Sequence, residues 1–428
     1  MSLCRVWPSE IDGSIDAPPS KTYTHRVFFA SLLADGKTRV LDPLYSDDTQ
    51  ATLSIIKSLG AQLEIEPKYV TIEAPGRKLT WTPSLFCRES GTTIRFATAI
   101  ASLLDRPIIL YGTGRLNERP IAGLLRALGN LGVEYIVSRG CCPPHTVKGP
   151  ARGNSTIVDA WESSQYLSAL LLLGARLEEG LTISVTNLSS RGYVDATIDV
   201  LRDFGARIRV SDNYKLLEVE GPLRSIDYRV PSDWSSIAVI LTAGALSGSV
   251  EVRGVKLSKP HPDRQVINIL SSVGARVVVG EESILVEKVA KLNPINICID
   301  DFPDLAPIIT AIAILACGES RICCVERLVY KESDRASAII DIAKKVGVDA
   351  MFIEEEGRKC IVIRGKCGSI RGGVSLEGFN DHRIVFLATL LGLVSEKPIE
   401  ITTPYSVSKS YPRFWDDLIS LGARVECR

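Results

Sequence analysis

Six segments rich in polar and charged residues recur along the chain, each just before or within the first turn of a predicted helix. They are Ser20–Arg26, Arg88–Arg95, Glu162–Gln165, Ser232–Ser236, Asp301–Asp304 and Asn380–Arg383. A helix start exposes free backbone N–H groups and carries about half a positive charge, so it can hold an anion. Taken singly, each segment is more often an ordinary helix cap than a ligand site.

The basic residues of these segments recur at equivalent points of the chain, together with cations that open or precede other predicted helices. The set is Lys21, Arg26, Arg95, Arg119, Lys331, Arg335, Arg383 and Lys409. Cations on the wet face of one helix would instead follow the helical period. Arginine forks match phosphate and carboxylate groups with two parallel hydrogen bonds. If these helix starts face one cleft, the sequence predicts a pocket for compact ligands that carry several negative charges.

A repeated corner shows which elements position these residues. Six predicted helices end in a hydrophobic residue, a glycine and Ala or Val, and an apolar strand follows each; the glycines are Gly60, Gly132, Gly205, Gly274, Gly347 and Gly422. The steps between successive glycines are 72, 73, 69, 73 and 75 residues. A glycine just past the last helical turn takes the left-handed conformation that closes a helix. A fixed period outranks local pattern in predicting a fold.

Each repeat contains a second helix upstream of its glycine corner, and this helix is apolar nearly all the way round. These helices are predicted at Tyr23–Ala34, Thr92–Leu103, Ser164–Gly174, Ser235–Leu246, Leu305–Ala316 and Asp381–Leu391. A helix without a polar face is buried on all sides, whereas the helices that end at the glycine corners keep one wet face. The repeat is therefore strand, buried helix, strand, exposed helix, strand and strand. Six repeats predict two α/β domains, each with three buried helices at its core.

Composition excludes several classes of protein. A chain of 428 residues is long enough for two domains, and its 50 basic and 50 acidic residues cancel, which argues against binding to nucleic acid or a membrane surface. No apolar run is long enough to span a bilayer, and the first sixteen residues contain neither a signal core nor a transit segment. Eleven cysteines without a C-x-x-C pair indicate reduced thiols rather than a metal site. The sequence predicts a cytoplasmic protein.

The charged segments contain six landmarks that resemble those of the 5-enolpyruvylshikimate-3-phosphate (EPSP) synthase family. They are Pro19-Ser20-Lys21-Thr22, Glu89-Ser90-Gly91-Thr92-Thr93-Ile94-Arg95, Glu118-Arg119-Pro120, Ser163-Ser164-Gln165, Lys331-Glu332-Ser333-Asp334-Arg335 and Asn380-Asp381-His382-Arg383. One landmark alone would be weak. All six occur in order at matching repeat positions, and the resemblance runs from about Ser9 to Ala423.

The resemblance implies transfer of the enolpyruvyl group of phosphoenolpyruvate to the 5-hydroxyl of shikimate 3-phosphate, with release of phosphate, in chorismate and aromatic amino acid biosynthesis. It implies a two-domain inside-out α/β barrel built from six βαβαββ repeats, three per domain. The first domain would span residues 19–229, and residues 1–18 would complete a second domain at 230–428. The domains would close over the substrates, and the enzyme would act as a monomer without a cofactor or metal.

The resemblance also implies which residues bind and react. Shikimate 3-phosphate would contact Lys21, Thr22, Arg26, Ser163, Ser164, Gln165, Ser190, Tyr193, Asp304 and Lys331. Phosphoenolpyruvate would contact Lys21, Gly91, Arg119, Gln165, Arg335, Arg383 and Lys409. Catalysis would fall to Asp304, Glu332, Lys21 and Lys331. In that scheme Asp304 takes the proton of the 5-hydroxyl and Glu332 protonates the methylene carbon.

Several of these residues also have a simpler structural interpretation. Glu332 can pair with Arg335 three residues further on, and Asp304 can cap the helix that begins at Leu305. Gly91 can be only a turn residue, although a side chain there would also intrude on a bound ligand. Acid–base catalysis by two carboxylates requires that one stays protonated near neutral pH. A structural hydrogen bond explains His382 as well as catalysis does.

Four residues depart from the family pattern. Glu89 stands where many relatives have asparagine, and Thr22 replaces the usual serine. Arg327 and Val329 stand where a small polar residue or leucine and an arginine, respectively, are expected. The change at Val329 removes an expected contact to shikimate 3-phosphate, whereas every cation expected to bind phosphoenolpyruvate is present.

Two other functions fit part of the same pattern. An enolpyruvyl transferase that acts on UDP-N-acetylglucosamine would share the fold and the donor, but it carries a reactive cysteine where this chain has Gly114. A non-catalytic paralogue that only binds anions would share the cations. Such a scaffold gains nothing from the carboxylates Asp304 and Glu332 beside a bound anion, so these two residues favour an enzyme.

Overall fold

The computed structural model describes residues 2–76 and 78–428, and these divide into two compact units. The amino-terminal unit comprises Pro19–Pro231 and Lys259–His261. The carboxyl-terminal unit comprises the chain up to Pro18, Ser232–Ser258 and Pro262–Arg428. Met1, which the sequence places in the second domain, lies outside the described residues.

The short segment Lys259–His261 packs with the amino-terminal unit, although the sequence assigns it to the second domain. The ammonium group of Lys259 lies 2.8 Å from a carboxylate oxygen of Asp199 and 2.6 Å from one of Asp203. Because both acids belong to one helix of the amino-terminal unit, these ion pairs hold the segment there.

Helices separate single strands or short groups of strands along the described residues. The first strands are β1 (Leu3–Val6), β2 (Ile11–Asp16), β3 (Lys37–Leu41), β4 (Gln62–Glu66), β5 (Tyr69–Glu73), β6 (Ser84–Phe86), β7 (Ile108–Tyr111), β8 (Glu134–Arg139), β9 (Cys142–Lys148), β10 (Ser155–Ala160), β11 (Leu181–Leu188) and β12 (Arg207–Val210). The remaining strands are β13 (Leu216–Glu220), β14 (Asp227–Arg229), β15 (Gly248–Arg253), β16 (Arg276–Val279), β17 (Ser283–Glu287), β18 (Asn296–Cys298), β19 (Glu319–Cys323), β20 (Asp349–Glu355), β21 (Arg358–Arg364), β22 (Ser375–Leu376), β23 (Ile399–Thr402) and β24 (Val425–Cys427). The helices are α1 (Lys21–Leu33), α2 (Asp47–Ser58), α3 (Gly91–Ala101), α4 (Ala122–Gly129), α5 (Gln165–Gly174), α6 (Arg191–Asp203), α7 (Trp234–Ser247), α8 (Val266–Ser272), α9 (Ala306–Leu315), α10 (Arg335–Lys345), α11 (His382–Val394) and α12 (Phe414–Ser420).

The described residues form six four-stranded sheets, three in each unit. The sheet β10-β11-β13-β12 is typical: β10 and β11 pair in parallel, and the other two pairs are antiparallel. A parallel pair needs a crossover between its strands, and here α5 provides it. The order strand, helix, strand, helix, strand, strand confirms the predicted βαβαββ repeat.

The amino-terminal strands complete sheets that are otherwise built from the end of the chain. β1 lies between β23 and β24 and is antiparallel to both, while β2 runs parallel to β15. β14 returns in the same way to pair in parallel with β3 of the first repeat. Strands from distant parts of the sequence therefore close each set of three repeats.

The upstream helices are buried, as their apolar sequences predict. Every residue of α7 and of α9 is buried, and α1, α3, α5 and α11 have only a few accessible residues, at their ends. Each unit has its own core, which these helices fill. The six corner glycines all have positive φ, between +80° at Gly132 and +106° at Gly60, which confirms that each closes a helix in the left-handed conformation.

The cysteines contradict the sequence prediction of reduced thiols. Four disulfides lie in the carboxyl-terminal unit: Cys4–Cys427, Cys298–Cys324, Cys317–Cys367 and Cys323–Cys360. The neighbours Cys141 and Cys142 form a fifth pair, and Cys87 is buried outside any disulfide. The bonded residues are up to 423 positions apart, so their spacing in the sequence carried no sign of the pairing.

Across residues 2–76 and 78–428, no helix combines the length and the apolar composition that crossing a membrane requires.

Candidate active site

Lys21 is the first residue of α1, and the side chain of Ser20 caps that helix by accepting a hydrogen bond from the Tyr23 amide at 3.3 Å. The ammonium nitrogen of Lys21 lies 2.8 Å from Oδ2 of Asp48, which stands in the first turn of α2. Both side chains are mostly buried, with 17% and 12% of their surface exposed. A carboxylate thus fixes the direction of this lysine, and nothing in the sequence pattern had marked Asp48.

Arg26 lies one turn further along α1 and is almost completely buried. Its guanidinium donates to the hydroxyl of Thr197 at 2.7 Å and to the backbone carbonyls of Thr22 and Tyr193, each at 2.8 Å. Burial lowers the pKa of Arg26 to about 10. Arg26 therefore joins α1 to the start of α6, and it does so at the two predicted ligand residues Thr22 and Tyr193.

The start of α6 is set by Ser190, which is buried and has a left-handed φ of 51°. Its carbonyl accepts a hydrogen bond from the amide of Tyr193 at 3.1 Å. The ring of Tyr193 packs edge-on against His261, with ring centroids 5.6 Å apart. Ser190 and Tyr193 thus lie together at the start of α6.

Gly91 opens α3 under two guanidinium groups. A Cβ atom at Gly91 would lie 2.5 Å from a terminal nitrogen of Arg119 and 2.8 Å from one of Arg95. Any larger residue at this helix start would require the two guanidinium groups to shift. Arg119 and Arg95 are 8% and 2% exposed, so the backbone of Gly91 adjoins two concentrated, mostly buried positive charges.

Gln165 opens α5 and is held by the same group of residues. Its Oε1 accepts a hydrogen bond from Arg95 at 2.8 Å, and its Nε2 donates to the hydroxyl of Thr92 at 2.9 Å. Its backbone amide donates to Oγ of Ser163 at 3.3 Å, and the adjacent Ser164 is the buried N-cap of the helix. Arg95 thus orients Gln165, a role that its place in the Gly91–Arg95 landmark did not reveal.

In the carboxyl-terminal unit, the side chain of Asp304 lies within reach of three cations. Its Oδ1 is 3.0 Å from the ammonium of Lys331 and 2.8 Å from a terminal nitrogen of Arg335. Its Oδ2 is 3.9 Å from Arg383. Asp304 lies in a short 3₁₀ turn before α9, and the N-cap residue of α9 is Leu305. Asp304 is therefore not the N-cap residue of that helix.

The charges around Asp304 determine its ionisation. Burial alone would raise the pKa of Asp304, but Lys331, Arg335 and Arg383 outweigh it and hold that pKa well below its usual range. Burial also lowers the pKa of Lys331, against the opposing attraction of Asp304. Asp304 is consequently a carboxylate at neutral pH, in the form that can accept a proton.

Glu332 is tied to the same arginine. Arg335, 1% exposed, donates to Oε2 of Glu332 at 2.6 Å and, through its Nε, to Oδ2 of the fully buried Asp381 at 2.8 Å. The predicted pairing of Glu332 with Arg335 is thus present. Because Arg335 also reaches Asp304, a single guanidinium contacts three carboxyl groups. Burial would lower the pKa of Arg335, but Asp381, Glu332 and Asp304 raise it above its ordinary value.

The remaining predicted cations lie near the start of α11. Asp381 caps this helix by accepting from the amide of Arg383 at 2.9 Å, and the guanidinium of Arg383 donates to the carbonyl of Ser235 at 3.3 Å. The ammonium of Lys409 donates to the carbonyl of Asn380 at 2.6 Å. Nδ1 of His382 lies 4.0 Å from Asp381, beyond hydrogen-bond distance.

Gly114 stands where the UDP-N-acetylglucosamine transferases carry a reactive cysteine, so its surroundings help to distinguish the two possible acceptors. It has a left-handed φ of 55°, and a Cβ atom there would collide with the carboxylate of Glu89. A cysteine could not occupy this position unless Glu89 moved. Glu89 thus places an acidic side chain over Gly114.

Cys323, Glu355 and Cys360 lie close enough together to share an ion, but a disulfide joins the two cysteines. Thiolates are the cysteine form that binds metal, and a disulfide sulfur has no proton to lose.

Known proteins similar to this chain agree with the fold and with the family that the sequence resembles. The family model for EPSP synthase (3-phosphoshikimate 1-carboxyvinyltransferase) matches residues 7–418. The 3-phosphoshikimate 1-carboxyvinyltransferase of Aeropyrum pernix is 40% identical over 98% of this chain and 96% of its own length. That of Pyrococcus abyssi is 38% identical over 96% and 95%, respectively. The structure of EPSP synthase from Acinetobacter baumannii superposes with a TM-score of 0.80 at 25% identity and covers all of both chains. The chain therefore belongs to the EPSP synthase (3-phosphoshikimate 1-carboxyvinyltransferase) family.

Proposed function

We propose that this chain transfers the enolpyruvyl group of phosphoenolpyruvate to the 5-hydroxyl of shikimate 3-phosphate, giving 5-enolpyruvylshikimate 3-phosphate and phosphate. Family membership over residues 7–418 supports the reaction. The observation that most supports the proposal is that the Arg335 guanidinium contacts both Asp304 and Glu332. Its nitrogens lie 2.8 Å from a carboxyl oxygen of Asp304 and 2.6 Å from one of Glu332. It keeps two candidate proton-transfer groups together in one cationic site.

In the addition step, Asp304 takes the proton of the 5-hydroxyl while the hydroxyl oxygen bonds to C2 of phosphoenolpyruvate. Glu332 enters this step as the neutral acid and gives its proton to C3, so the methylene becomes a methyl group. The depressed pKa of Asp304 keeps it ionised and ready to accept a proton. Lys331, 3.0 Å from Asp304, holds that carboxylate in place and offers a cation to shikimate 3-phosphate.

In the elimination step, the same groups act in reverse. Asp304 returns its proton to the departing phosphate oxygen as the bond from C2 to that oxygen breaks. Glu332, now ionised, removes a proton from the methyl group, and the carbon–carbon double bond forms again. Each carboxyl group ends in its starting form, so the cycle needs no other proton donor or acceptor.

Substrate binding is assigned to both units. For phosphoenolpyruvate we propose Lys21, Gly91, Arg119 and Gln165 in the amino-terminal unit and Arg335, Arg383 and Lys409 in the carboxyl-terminal unit. For shikimate 3-phosphate we propose Lys21, Thr22, Arg26, Ser163, Ser164, Gln165, Ser190, Tyr193, Asp304 and Lys331. The burial of Arg26 and the use of its donors within the protein favour an indirect role, in which it positions Thr22 and Tyr193.

The alternative functions receive less support. This chain has Gly114, covered by the Glu89 carboxylate, where the UDP-N-acetylglucosamine transferases carry their reactive cysteine. A scaffold that only binds anions would have no use for Asp304, because an ionised carboxylate among the cations repels the ligand. We further propose that the enzyme acts in the cytoplasm as a monomer.

The test is phosphate release from phosphoenolpyruvate by the purified protein, with shikimate 3-phosphate or UDP-N-acetylglucosamine as the acceptor. Release with shikimate 3-phosphate alone, accompanied by its enolpyruvyl ether in the mass spectrum, is the expected result. Release with the UDP-sugar alone would assign the chain to the other transferase. Silence with both acceptors from folded protein would favour the non-catalytic scaffold.

A further inference from the structure

Asp304 and Lys331 lie in two segments that follow neighbouring strands, β18 and β19. β18 and β19 pair in parallel, and the last paired residues are Cys298 and Cys323. The chain then leads from β18 to Asp304 and from β19 to Lys331. A short parallel ladder does not by itself fix side chains several residues beyond its end, because each connecting segment has its own backbone freedom.

A disulfide prolongs this ladder just past its last pair. Cys298 ends β18 and is bonded to Cys324, the residue that follows β19. Cys324 has a left-handed φ of 65°, so the chain changes direction at the bridge. The covalent bond therefore fastens both segments at their base, before either reaches its catalytic residue.

Arg327 ties the same two segments a second time. Its NH2 nitrogen lies 2.7 Å from Oδ1 of Asp300, and it also donates to the backbone carbonyl of Asp300. The side chain of Arg327 is only 5% exposed, whereas that of Asp300 is 45% exposed. Arg327, which departs from the family pattern, is thus the more buried partner of this ion pair.

The contacts between the two segments keep the same spacing up to Asp304 and Lys331. The residues in the Arg327–Asp300 and Lys331–Asp304 contacts are both 27 positions apart. Each residue of the first contact stands four positions before its counterpart in the second. A tie at Arg327 therefore lies about midway between the disulfide and the pair that must stay within hydrogen-bond reach.

We propose that Arg327 is a positioning residue which, with the Cys298–Cys324 disulfide, holds Asp304 and Lys331 in reacting geometry. The inference rests on the proposed function, since it assumes that Asp304 and Lys331 react with the substrates. Its physical basis is that displacement of a catalytic group by about 1 Å can cost about 100-fold in rate.

The electrostatics around Lys331 support this role. Burial lowers the pKa of Lys331; Asp304 and Glu332 raise it, whereas the positive charges of Arg335 and Arg327 lower it further. Loss of the charge at position 327 should therefore raise the pKa of Lys331. The pKa of Lys331 therefore reports on the charge at position 327, and kcat reports on the position of Lys331 and Asp304.

The first test compares Arg327→Gln with Arg327→Lys, which keeps the charge. In Arg327→Gln we expect kcat to fall about 10- to 100-fold, with a much smaller change in KM for phosphoenolpyruvate. The pKa of the Lys331 ammonium, followed by NMR, should rise in Arg327→Gln and stay near the wild-type value in Arg327→Lys. The NMR titration does not depend on turnover. An inactive wild type would therefore count against the proposed function, while the titration would still decide whether Arg327 acts on Lys331.

The second test asks whether Asp300 and the disulfide act with Arg327. Asp300→Asn should lower kcat, and the double variant with Arg327→Gln should lose little more than either single change, because the two residues form one contact. Removing the bridge as Cys298→Ala/Cys324→Ala should also lower kcat. The matched control, Cys317→Ala/Cys367→Ala, removes another disulfide of the same unit and should keep the wild-type kcat. Wild-type kcat and an unchanged Lys331 pKa in the Arg327 and Cys298/Cys324 variants would overturn the proposal, even if their melting temperatures fell.

Discussion

The ammonium nitrogen of Lys331 lies 3.0 Å from a carboxylate oxygen of Asp304, and the two residues come from separate segments of the carboxyl-terminal unit. Arg335 reaches the same oxygen at 2.8 Å. This arrangement keeps a largely buried carboxylate ionised and aims a lysine at it. In the proposed reaction the pair provides the base for the hydroxyl proton and a cation for the acceptor.

Replacement of Lys331 by methionine should raise the pKa of Asp304. The folded protein holds this pKa well below its usual range, so Asp304 loses its charge only when the pH falls through that depressed value. Lys331→Met removes one of the three cations responsible, while burial continues to favour the neutral acid. The carboxyl carbon shift of Asp304, followed by NMR against pH, should show the rise.

Lys345→Met is the matched control for that titration. Lys345 pairs with Asp341 at 2.8 Å on an exposed helix face, and its ammonium is not among the charges that act on Asp304. An Asp304 titration that is the same in Lys331→Met as in the control would contradict the assigned electrostatics.

Gly91→Ala should weaken phosphoenolpyruvate binding. Its Cβ atom would stand 2.5 Å from a nitrogen of Arg119 and 2.8 Å from one of Arg95, so the guanidinium groups must shift. Overpacking costs about 1–3 kcal/mol, and we expect KM for phosphoenolpyruvate to rise about 10- to 100-fold, with a smaller change for shikimate 3-phosphate. Steady-state kinetics with each substrate varied in turn would measure both.

The control for Gly91→Ala is Gly129→Ala, at the end of α4. The added methyl group would meet only a ring atom of the exposed Tyr135 side chain, at 3.1 Å. Equal losses for both substrates in Gly91→Ala would remove Gly91 and Arg119 from the phosphoenolpyruvate site.

Asp48→Ala should weaken the binding of both substrates, because Asp48 holds Lys21 at 2.8 Å and Lys21 is assigned to both. Loss of a hydrogen bond to a charged group costs about 1.5–3 kcal/mol, so we expect both KM values to rise at least about tenfold. Asp47→Ala alters an exposed acid in the same helical turn and should leave both values unchanged. If both variants behaved as the wild type, Lys21 would not depend on its carboxylate.

Removal of the Cys4–Cys427 disulfide should lower stability and spare activity. This bridge joins β1 to β24 across 423 positions, and it lies on strands that carry none of the assigned catalytic residues. Its loss should cost about 2–4 kcal/mol of unfolding free energy. Denaturant unfolding of the wild type and of Cys4→Ala/Cys427→Ala, each with and without dithiothreitol, measures this loss of unfolding free energy. The same unfolding midpoint as the wild type under oxidising conditions would show that the bridge does not constrain the unfolded chain.

The sequence predicted the repeat well because its signals are local. Each helix-to-strand corner needs a glycine because its backbone has a positive φ. Each buried helix can be recognised because its own residues are apolar on all faces. The charged residues at helix starts could be found for the same reason, since they stand at fixed points of a repeated unit. Gly91 and Arg335 were therefore within reach of the sequence alone.

The contacts that orient those residues were not predictable in the same way. Asp48 and Lys21 are 27 positions apart, and Asp381 and Arg335 are 46 positions apart. Such pairs form only when two separate helices pack together, and one sequence has no local pattern that identifies them. The disulfides were not predicted for the same reason. The sequence identified Arg327 only as a departure from the family pattern, because its partner, Asp300, lies in another segment.

The measurement that tests the central claim most directly is the reaction in deuterium oxide, with the product analysed by NMR. Protonation of C3 by a group that exchanges with solvent, followed by removal of one of the three methyl hydrogens, places deuterium on the vinyl carbon of the product. The account predicts deuterium at this carbon in the wild type, and loss of both exchange and turnover in Glu332→Gln. Product formed by the wild type without deuterium, or undiminished incorporation in Glu332→Gln, would contradict it.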